Sequence, residues 1–180
     1  TKKSIEAIIP PPGPHMVGDG FRVHGFFPGG IIDKKRMSPF FLMDYNSKVE
    51  FPPTDQPRGV GVHPHRGFET VTIAYHGRIA HHDSAGNSGI IGEGDVQWMT
   101  AGKGIVHSEG VPPAFLEKGG EMELIQLWVN LPRSAKQHEP RYQDLRAENF
   151  PLVKAGDASL KLIAGSYDDK TSPAQLLTPV

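Results

Sequence analysis

The chain has 180 residues with 37% hydrophobic and 22% charged residues, a net charge of −1 and no cysteine. This composition supports one packed domain with room for part of another, and it excludes wholesale disorder, disulfides, zinc–thiolate sites and thiol nucleophiles. The near-zero charge predicts no direct nucleic-acid binding, and the lack of a long apolar run or leader-like start predicts a cytoplasmic protein without a membrane span.

Short strands separated by turns are predicted through most of the chain. Its 21 glycines and 17 prolines are scattered, which argues against a helical bundle. In chain order, the strands are predicted at 21–27, 39–45, 68–75, 79–82, 96–100, 105–109 and 122–131, and a helical signal of one or two turns at 141–149. The last strand is apolar on both faces, which is typical of a central strand covered on both sides. This spacing favours an all-β sandwich or barrel, and we predict a jelly-roll barrel, which leaves an interior for a ligand.

Two histidine pairings point to a metal site. His63 and His65 flank one residue, as do His107 and Glu109 about forty residues later. In an extended strand, residues i and i+2 point to the same face. Two neighbouring strands would therefore aim three imidazoles and one carboxylate at one point, a typical site for a divalent transition metal. Four ligands would leave two positions of a six-coordinate metal open for chemistry, unlike a closed structural zinc site.

Other candidate residues are interpreted more plainly. His81 and His82 are adjacent, so a strand would send them to opposite faces, and we predict surface or turn positions for both. Glu69 follows His65 by four residues and is an alternative fifth ligand. Trp128 is expected in the core rather than against a substrate.

Several stretches resemble known motifs. HPHRGFETV, within residues 59–77, resembles the first metal-binding motif of the cupins, and GDVQWMTAGKGIVHSE (94–109) resembles the second. Together with HDSAGNSG, IQLWVNLP and PRYQDL, these motifs resemble the pirin family and cover most of residues 57–145. The segment PFFLMDY (39–45) also resembles an early strand of the family.

The resemblance implies a fold and a ligand set. Pirin-family proteins are bicupins whose N-terminal barrel holds one metal, usually iron, through three histidines and one glutamate. The matching positions here are His63, His65, His107 and Glu109, and the family pattern does not use Glu69. We therefore expect a cupin domain over 1–140, and over 141–180 a linker and the start of a second, incomplete cupin domain. The chain is then either a fragment of a longer bicupin or a short member. Family members more often carry arginine at the position of His82.

The resemblance also implies a function. It predicts a quercetin 2,3-dioxygenase-like enzyme that acts on an aromatic small molecule such as a flavonol, with Glu109 as general base. Fe(II) is the expected metal, with Mn, Ni, Cu, Co or Zn as alternatives. The alternative function is an iron-binding, redox-sensing regulatory module that acts through a protein partner. A cupin isomerase or sugar-binding barrel without a redox metal is a third, weaker hypothesis.

Overall fold

The computed structural model describes residues 4–29, 33 and 35–178. Its strands, in chain order, are β1 (His15–Val17), β2 (Phe21–Phe27), β3 (Phe40–Phe51), β4 (Gly59–His65), β5 (Phe68–His76), β6 (Ile79–Asp83), β7 (Ser88–Ile91), β8 (Val96–Thr100), β9 (Ile105–Gly110), β10 (Gly120–Asn130), β11 (Arg141–Leu145), β12 (Leu152–Ala155), β13 (Ala158–Lys161), β14 (Ser166–Tyr167) and β15 (Lys170–Thr171). Short helical segments are α1 (Pro113–Leu116) and the 3₁₀ turns Arg133–Ala135 and Ala147–Asn149. Within the described ranges, no helix combines the length and apolarity needed to cross a membrane.

Two antiparallel sheets form a sandwich. The larger sheet has the strand order β1-β2-β3-β10-β5-β8-β11, and the smaller sheet has the order β4-β9-β6-β7. Ile79 and Ile91 of the smaller sheet pack with Val23, Ala74 and Leu124 of the larger one, and all five are buried. The predicted all-β fold is confirmed.

The outer face of the larger sheet is also covered. Val71, Val96 and Val129 pack there against Phe150 and Ile163 from the segment that follows β11. Because β10 lies between β3 and β5, it is central and has apolar neighbours on both sides, as its pattern predicted. The proposed domain boundary at residue 140 stays a prediction.

The structure corrects some boundaries. The helical signal over 141–149 is wrong for its first half, because 141–145 form β11, which pairs with β8 at the sheet edge. Only Ala147–Asn149 makes a helical turn. A partner strand that offers free backbone groups outweighs a weak local preference for helix. Similarly, β3 continues to Phe51 through pairing with β10, six residues beyond the predicted end of this strand at residue 45.

Candidate metal centre

Strand pairing in the smaller sheet sets the positions of the predicted ligands. His63 of β4 lies directly opposite His107 of β9, and Val60 lies opposite Glu109. Between these two pairs, Gly61 and Val62 of β4 face the single residue Ser108 of β9, which is the signature of a β-bulge. Directly opposed residues of antiparallel strands share a face, so the bulge brings His63 and His107 together on one face.

A close approach between the same strands depends on Gly59. Its φ is +154°, and a Cβ at this position would lie 2.3 Å from the carbonyl oxygen of Glu109. No side chain fits that distance. Glycine at residue 59 therefore lets β4 lie against β9 just before the bulge that aligns the histidines.

Three imidazoles converge at this point. The Nε2 atoms of His63 and His65 are 3.1 Å apart, and the His107 ring centroid lies 4.4 Å from that of His63 and 4.8 Å from that of His65. One ring nitrogen from each of the three lies within 4.8 Å of the others. His107 is buried, whereas His63 and His65 are partly exposed. The cluster thus runs from the surface into the interior.

The nitrogens of this cluster carry lone pairs suited to a metal. The Nδ1 of His63 lies 2.8 Å from the carbonyl oxygen of Gly61, to which it can only donate, so a neutral ring has an unprotonated Nε2. Burial, with His63 nearby, lowers the pKa of His65 to about 4 and that of His107 to about 3. Both rings are therefore uncharged at neutral pH. Among the described residues, the buried Nε2 of His107 has no hydrogen-bond partner, which fits a missing metal bond.

Glu109 is near the cluster but oriented differently. One of its oxygens lies within 4.8 Å of nitrogens of His107 and His81, and this group does not include His63 or His65. Its carboxylate lies between the two sheets and accepts hydrogen bonds from Gln97 (2.8 Å) and Gln126 (3.0 Å) of the larger sheet. Its role as the fourth ligand stays a prediction.

Tyr142 fixes the amide that holds Glu109. Burial, with Asp144 and Glu109 nearby, raises the pKa of Tyr142. The phenol therefore keeps its proton and donates it to Oε1 of Gln97 at 3.3 Å. This leaves the Nε2 group of Gln97 directed at the carboxylate. A Cβ on Gly89 would lie 2.5 Å from the phenol oxygen, so glycine is required there.

The predicted surface or turn position of His81 is wrong. It is fully buried, whereas His82 is exposed as predicted. In β6, His81 lies opposite Glu109 and Asp83 lies opposite His107, so both face the cluster. The missed signal is the alternation within β6, because Ile79, His81 and Asp83 share a face and the apolar Ile79 marks that face as internal.

The structure also places the remaining candidates. Glu69 is buried, but it lies in the strand face of Val71, on the side away from the imidazoles, where Thr100 donates to its Oε1 at 2.6 Å. Because Glu69 points to the opposite side of the sheet, it cannot bind a metal that the three imidazoles hold. Trp128, expected in the core, instead lines an open depression together with His65 and Phe68.

That depression gives access to the cluster. It has a volume of about 690 Å³, and His63 and His65 form part of its wall. The ring centroid of Trp128 lies 4.6 Å from that of Phe68 and 5.2 Å from that of His65. Glu109 instead lines a small cavity of about 30 Å³ between the sheets. This cavity can hold a water molecule, and it shares no lining residue with the open aromatic pocket.

Acid should destabilise the metal-free protein through two of these histidines. An unfolded histidine has a pKa of about 6.5, whereas the fold lowers the pKa of His65 to about 4 and that of His107 to about 3. Unfolding therefore takes up protons below pH 6.5. The free energy of unfolding is highest, with respect to these two rings, above pH 6.5, and it falls as the pH drops towards their pKa values in the folded protein. In denaturant titrations with chelator, we expect the free energy of unfolding to fall between pH 6.5 and 4, by roughly 1.4 kcal/mol per pH unit for each histidine.

Two variants isolate this effect. His107→Gln should show a shallower dependence on pH, because one of the two groups is gone. His82→Gln changes an exposed histidine of β6, the strand that pairs with β9. Its free energy of unfolding should depend on pH as steeply as that of the wild type. Equal slopes in all three proteins would contradict the assignment.

Fold and site together define a class of protein. A β-sandwich that gathers imidazoles from two paired strands on its inner face is a cupin domain with groups that could hold a metal. The Pirin family model matches residues 20–129, and the chain belongs to the pirin family. Both the cupin fold and the family predicted from the motifs are confirmed.

Relatives and solved structures agree with this placement. The chain is 50% identical over 168 residues to the "Putative quercetin 2,3-dioxygenase" PA2418 of Pseudomonas aeruginosa. The matched region covers 92% of this chain and 58% of that protein. The crystal structure of a quercetin 2,3-dioxygenase from Acinetobacter baumannii matches with a TM-score of 0.85 at 44% identity, over 94% of this chain and 59% of that one. The bacterial pirin YhhW of Escherichia coli in complex with nickel(II) matches with a TM-score of 0.57 at 27% identity, over 75% of this chain and 54% of that one. The chain thus spans less than two thirds of each of these proteins.

Proposed function

We propose that this chain provides the metal-binding domain of a pirin-type dioxygenase that cleaves a flavonol such as quercetin. The observation that carries the proposal is the cluster of three imidazoles, two of which line an open aromatic pocket. The relatives named as quercetin 2,3-dioxygenases support the choice of substrate class.

The proposed centre holds one divalent transition metal, with Fe(II) as the first choice. His63, His65 and His107 would supply imidazole nitrogens, and Glu109 would supply a carboxylate oxygen as the fourth ligand. This mixed nitrogen and oxygen set suits iron, manganese, nickel, copper, cobalt and zinc. When bound, the metal supplies Lewis-acid chemistry and a route for electrons to dioxygen.

The pocket suits a flat aromatic substrate. Its volume of about 690 Å³ lies within the range of roughly 300–1,000 Å³ typical of small-molecule sites. Phe41, Phe68 and Trp128 form one aromatic cluster with centroid separations of 4.6 to 5.5 Å. Phe68 and Trp128 line the pocket, and edge and face contacts with these two rings would orient the rings of a flavonol and exclude water from one side.

Glu109 would act as the general base. Both of its oxygens accept hydrogen bonds from side-chain amides, and each oxygen keeps a second lone pair that can accept a proton. Because Glu109 lines the small internal cavity and not the open pocket, the proton of the flavonol 3-hydroxyl would reach this carboxylate through a water molecule in that cavity. The resulting enolate is the electron-rich form that reacts with dioxygen. Positioned bases of this kind contribute roughly 10²–10⁴-fold to rates.

The test is a turnover assay on the full chain. The protein is loaded anaerobically with Fe(II), its iron content is measured, and quercetin is added in air. We expect loss of the flavonol absorbance with matching oxygen uptake, at a rate well above that of free iron. Stoichiometric iron without flavonol loss or oxygen uptake would reject the dioxygenase and would favour the redox-sensing alternative.

A further inference from the structure

A buried hydrogen-bond relay leads from Asp83 to the proposed metal ligand His107. The Nε2 of His81 lies 3.0 Å from Oδ2 of Asp83, and both side chains are fully buried. The Nδ1 of His81 lies 3.3 Å from Nδ1 of His107. The ring of His81 is held in place by Tyr142, which stacks on it with a centroid distance of 4.5 Å and an angle of 15°.

Asp83 is anchored as an acceptor. Its Oδ1 accepts backbone N–H groups of Ala85 (2.9 Å) and Asn87 (3.0 Å), and its Oδ2 accepts the side-chain amide of Asn87 (3.0 Å). Burial alone would raise the pKa of Asp83, but the hydrogen bonds from His81 and Asn87 outweigh burial and lower it. N–H groups of Ala85 and Asn87 already donate to both oxygens, so Asp83 acts as an acceptor and His81 donates to it through Nε2–H.

The direction of each later hydrogen bond follows from this one. With its proton on Nε2, the His81 ring presents the lone pair of Nδ1 to Nδ1 of His107, 3.3 Å away. The facing Nδ1 of His107 must then carry the proton and donate it. This leaves Nε2 of His107 unprotonated, and it is this buried nitrogen that lacks a partner among the described residues.

We propose that Asp83 and His81 are positioning residues that set the tautomer of His107, so that its Nε2 lone pair is directed into the metal cluster. The inference rests on the proposed metal centre, but the tautomer can be measured without metal. Ligand histidines in metalloproteins commonly donate their second ring N–H to a carboxylate or carbonyl. Here the carboxylate acts through one additional imidazole.

Asp83→Asn tests the relay with almost no change of shape. The asparagine oxygen can keep accepting the backbone N–H groups of Ala85 and Asn87, which turns its NH₂ group towards His81. His81 must then accept through Nε2 and carry its proton on Nδ1. His107 is forced to accept through Nδ1 and to carry its proton on Nε2, where it blocks a metal bond.

The direct readout is the tautomer of His107 in metal-free protein. Nitrogen-15 magnetic resonance that correlates ring nitrogens with ring protons distinguishes protonated from unprotonated imidazole nitrogens. We expect an unprotonated Nε2 in wild-type His107 and a protonated Nε2 in Asp83→Asn. A protonated Nε2 in the wild type, or the same tautomer in both proteins, would overturn the proposal.

Nickel(II) affinity, measured by competition with a chelator, gives the second readout. We expect Asp83→Asn to bind nickel roughly 10- to 100-fold more weakly, the range for loss of an outer hydrogen-bond partner. Asp95→Asn is the matched control, because Asp95 also accepts backbone hydrogen bonds, from Gly92 and Ala147, outside the relay. It should keep the wild-type affinity.

His81→Phe guards against a purely structural effect. Phenylalanine can keep the stacking on Tyr142 but removes the acceptor and forces no proton onto Nε2 of His107. Its nickel affinity should therefore lie between those of the wild type and Asp83→Asn. Equal losses in both variants that follow only their melting temperatures would overturn the relay. Wild-type protein with the expected tautomers but without nickel binding would instead reject the metal centre and leave the relay supported.

Discussion

His63→Ala should lower the affinity for Fe(II) or nickel(II) by at least about 100-fold, since loss of a direct ligand exceeds the 10- to 100-fold cost of losing an outer partner. His63 contributes one of three clustered nitrogens, and its Nε2 lies 3.1 Å from that of His65. It is only partly buried, so its removal should leave the fold intact. Chelator competition measures the affinity. The gain in melting temperature on metal addition should largely disappear, because a ligand stabilises the fold by RT ln(1 + [L]/Kd) and a higher Kd reduces this quantity.

A matched variant and an alternative site sharpen this test. His82→Ala removes an exposed histidine and should bind metal like the wild type. The structure also offers a second group of possible ligands, made of His81, His107 and Glu109. Unchanged metal affinity in His63→Ala would show that this deeper group, rather than the three-histidine cluster, holds the metal.

Much of the site follows from the period of an extended strand. His63 with His65, and His107 with Glu109, had to share faces once their segments were recognised as strands. The strand of His107 and Glu109 was predicted at 105–109, whereas an extended conformation for His63 and His65 followed only from their spacing. What it could not supply was the pairing register of β4 and β9, because the bulge between Val60 and His63 leaves no distinctive residue pattern.

The contacts between the two sheets could not be predicted from the sequence for a different reason. Gln97 and Gln126 lie on strands of the larger sheet, and only the packing of the two sheets brings them to Glu109. His81 illustrates the same limit. Its strand was predicted, but which side of that strand is internal depended on Ile79 and on the neighbouring β9. Local spacing predicts shared faces, whereas tertiary packing decides which face holds the site.

Glu109→Gln should reduce turnover of quercetin by roughly 10²–10⁴-fold, the contribution of a positioned general base. The amide cannot take the substrate proton. It would also point an NH₂ group at the amide donor of Gln97 or Gln126, which now bond to the carboxylate. One unsatisfied buried donor costs about 1–3 kcal/mol, so the melting temperature should fall as well. Iron content should stay near stoichiometric at saturating Fe(II), since the three imidazoles remain.

Glu69→Gln makes the same chemical change at another buried glutamate. Burial raises the pKa of Glu69, which lies on the opposite side of the larger sheet, so this variant should retain both iron and turnover. Rates are compared at equal iron content, which separates loss of the base from loss of metal. Glu109→Asp keeps the charge on a shorter side chain and should recover part of the rate. Wild-type turnover per iron in Glu109→Gln would remove Glu109 from the chemistry, and it would leave the carboxylate as a structural link between the two sheets.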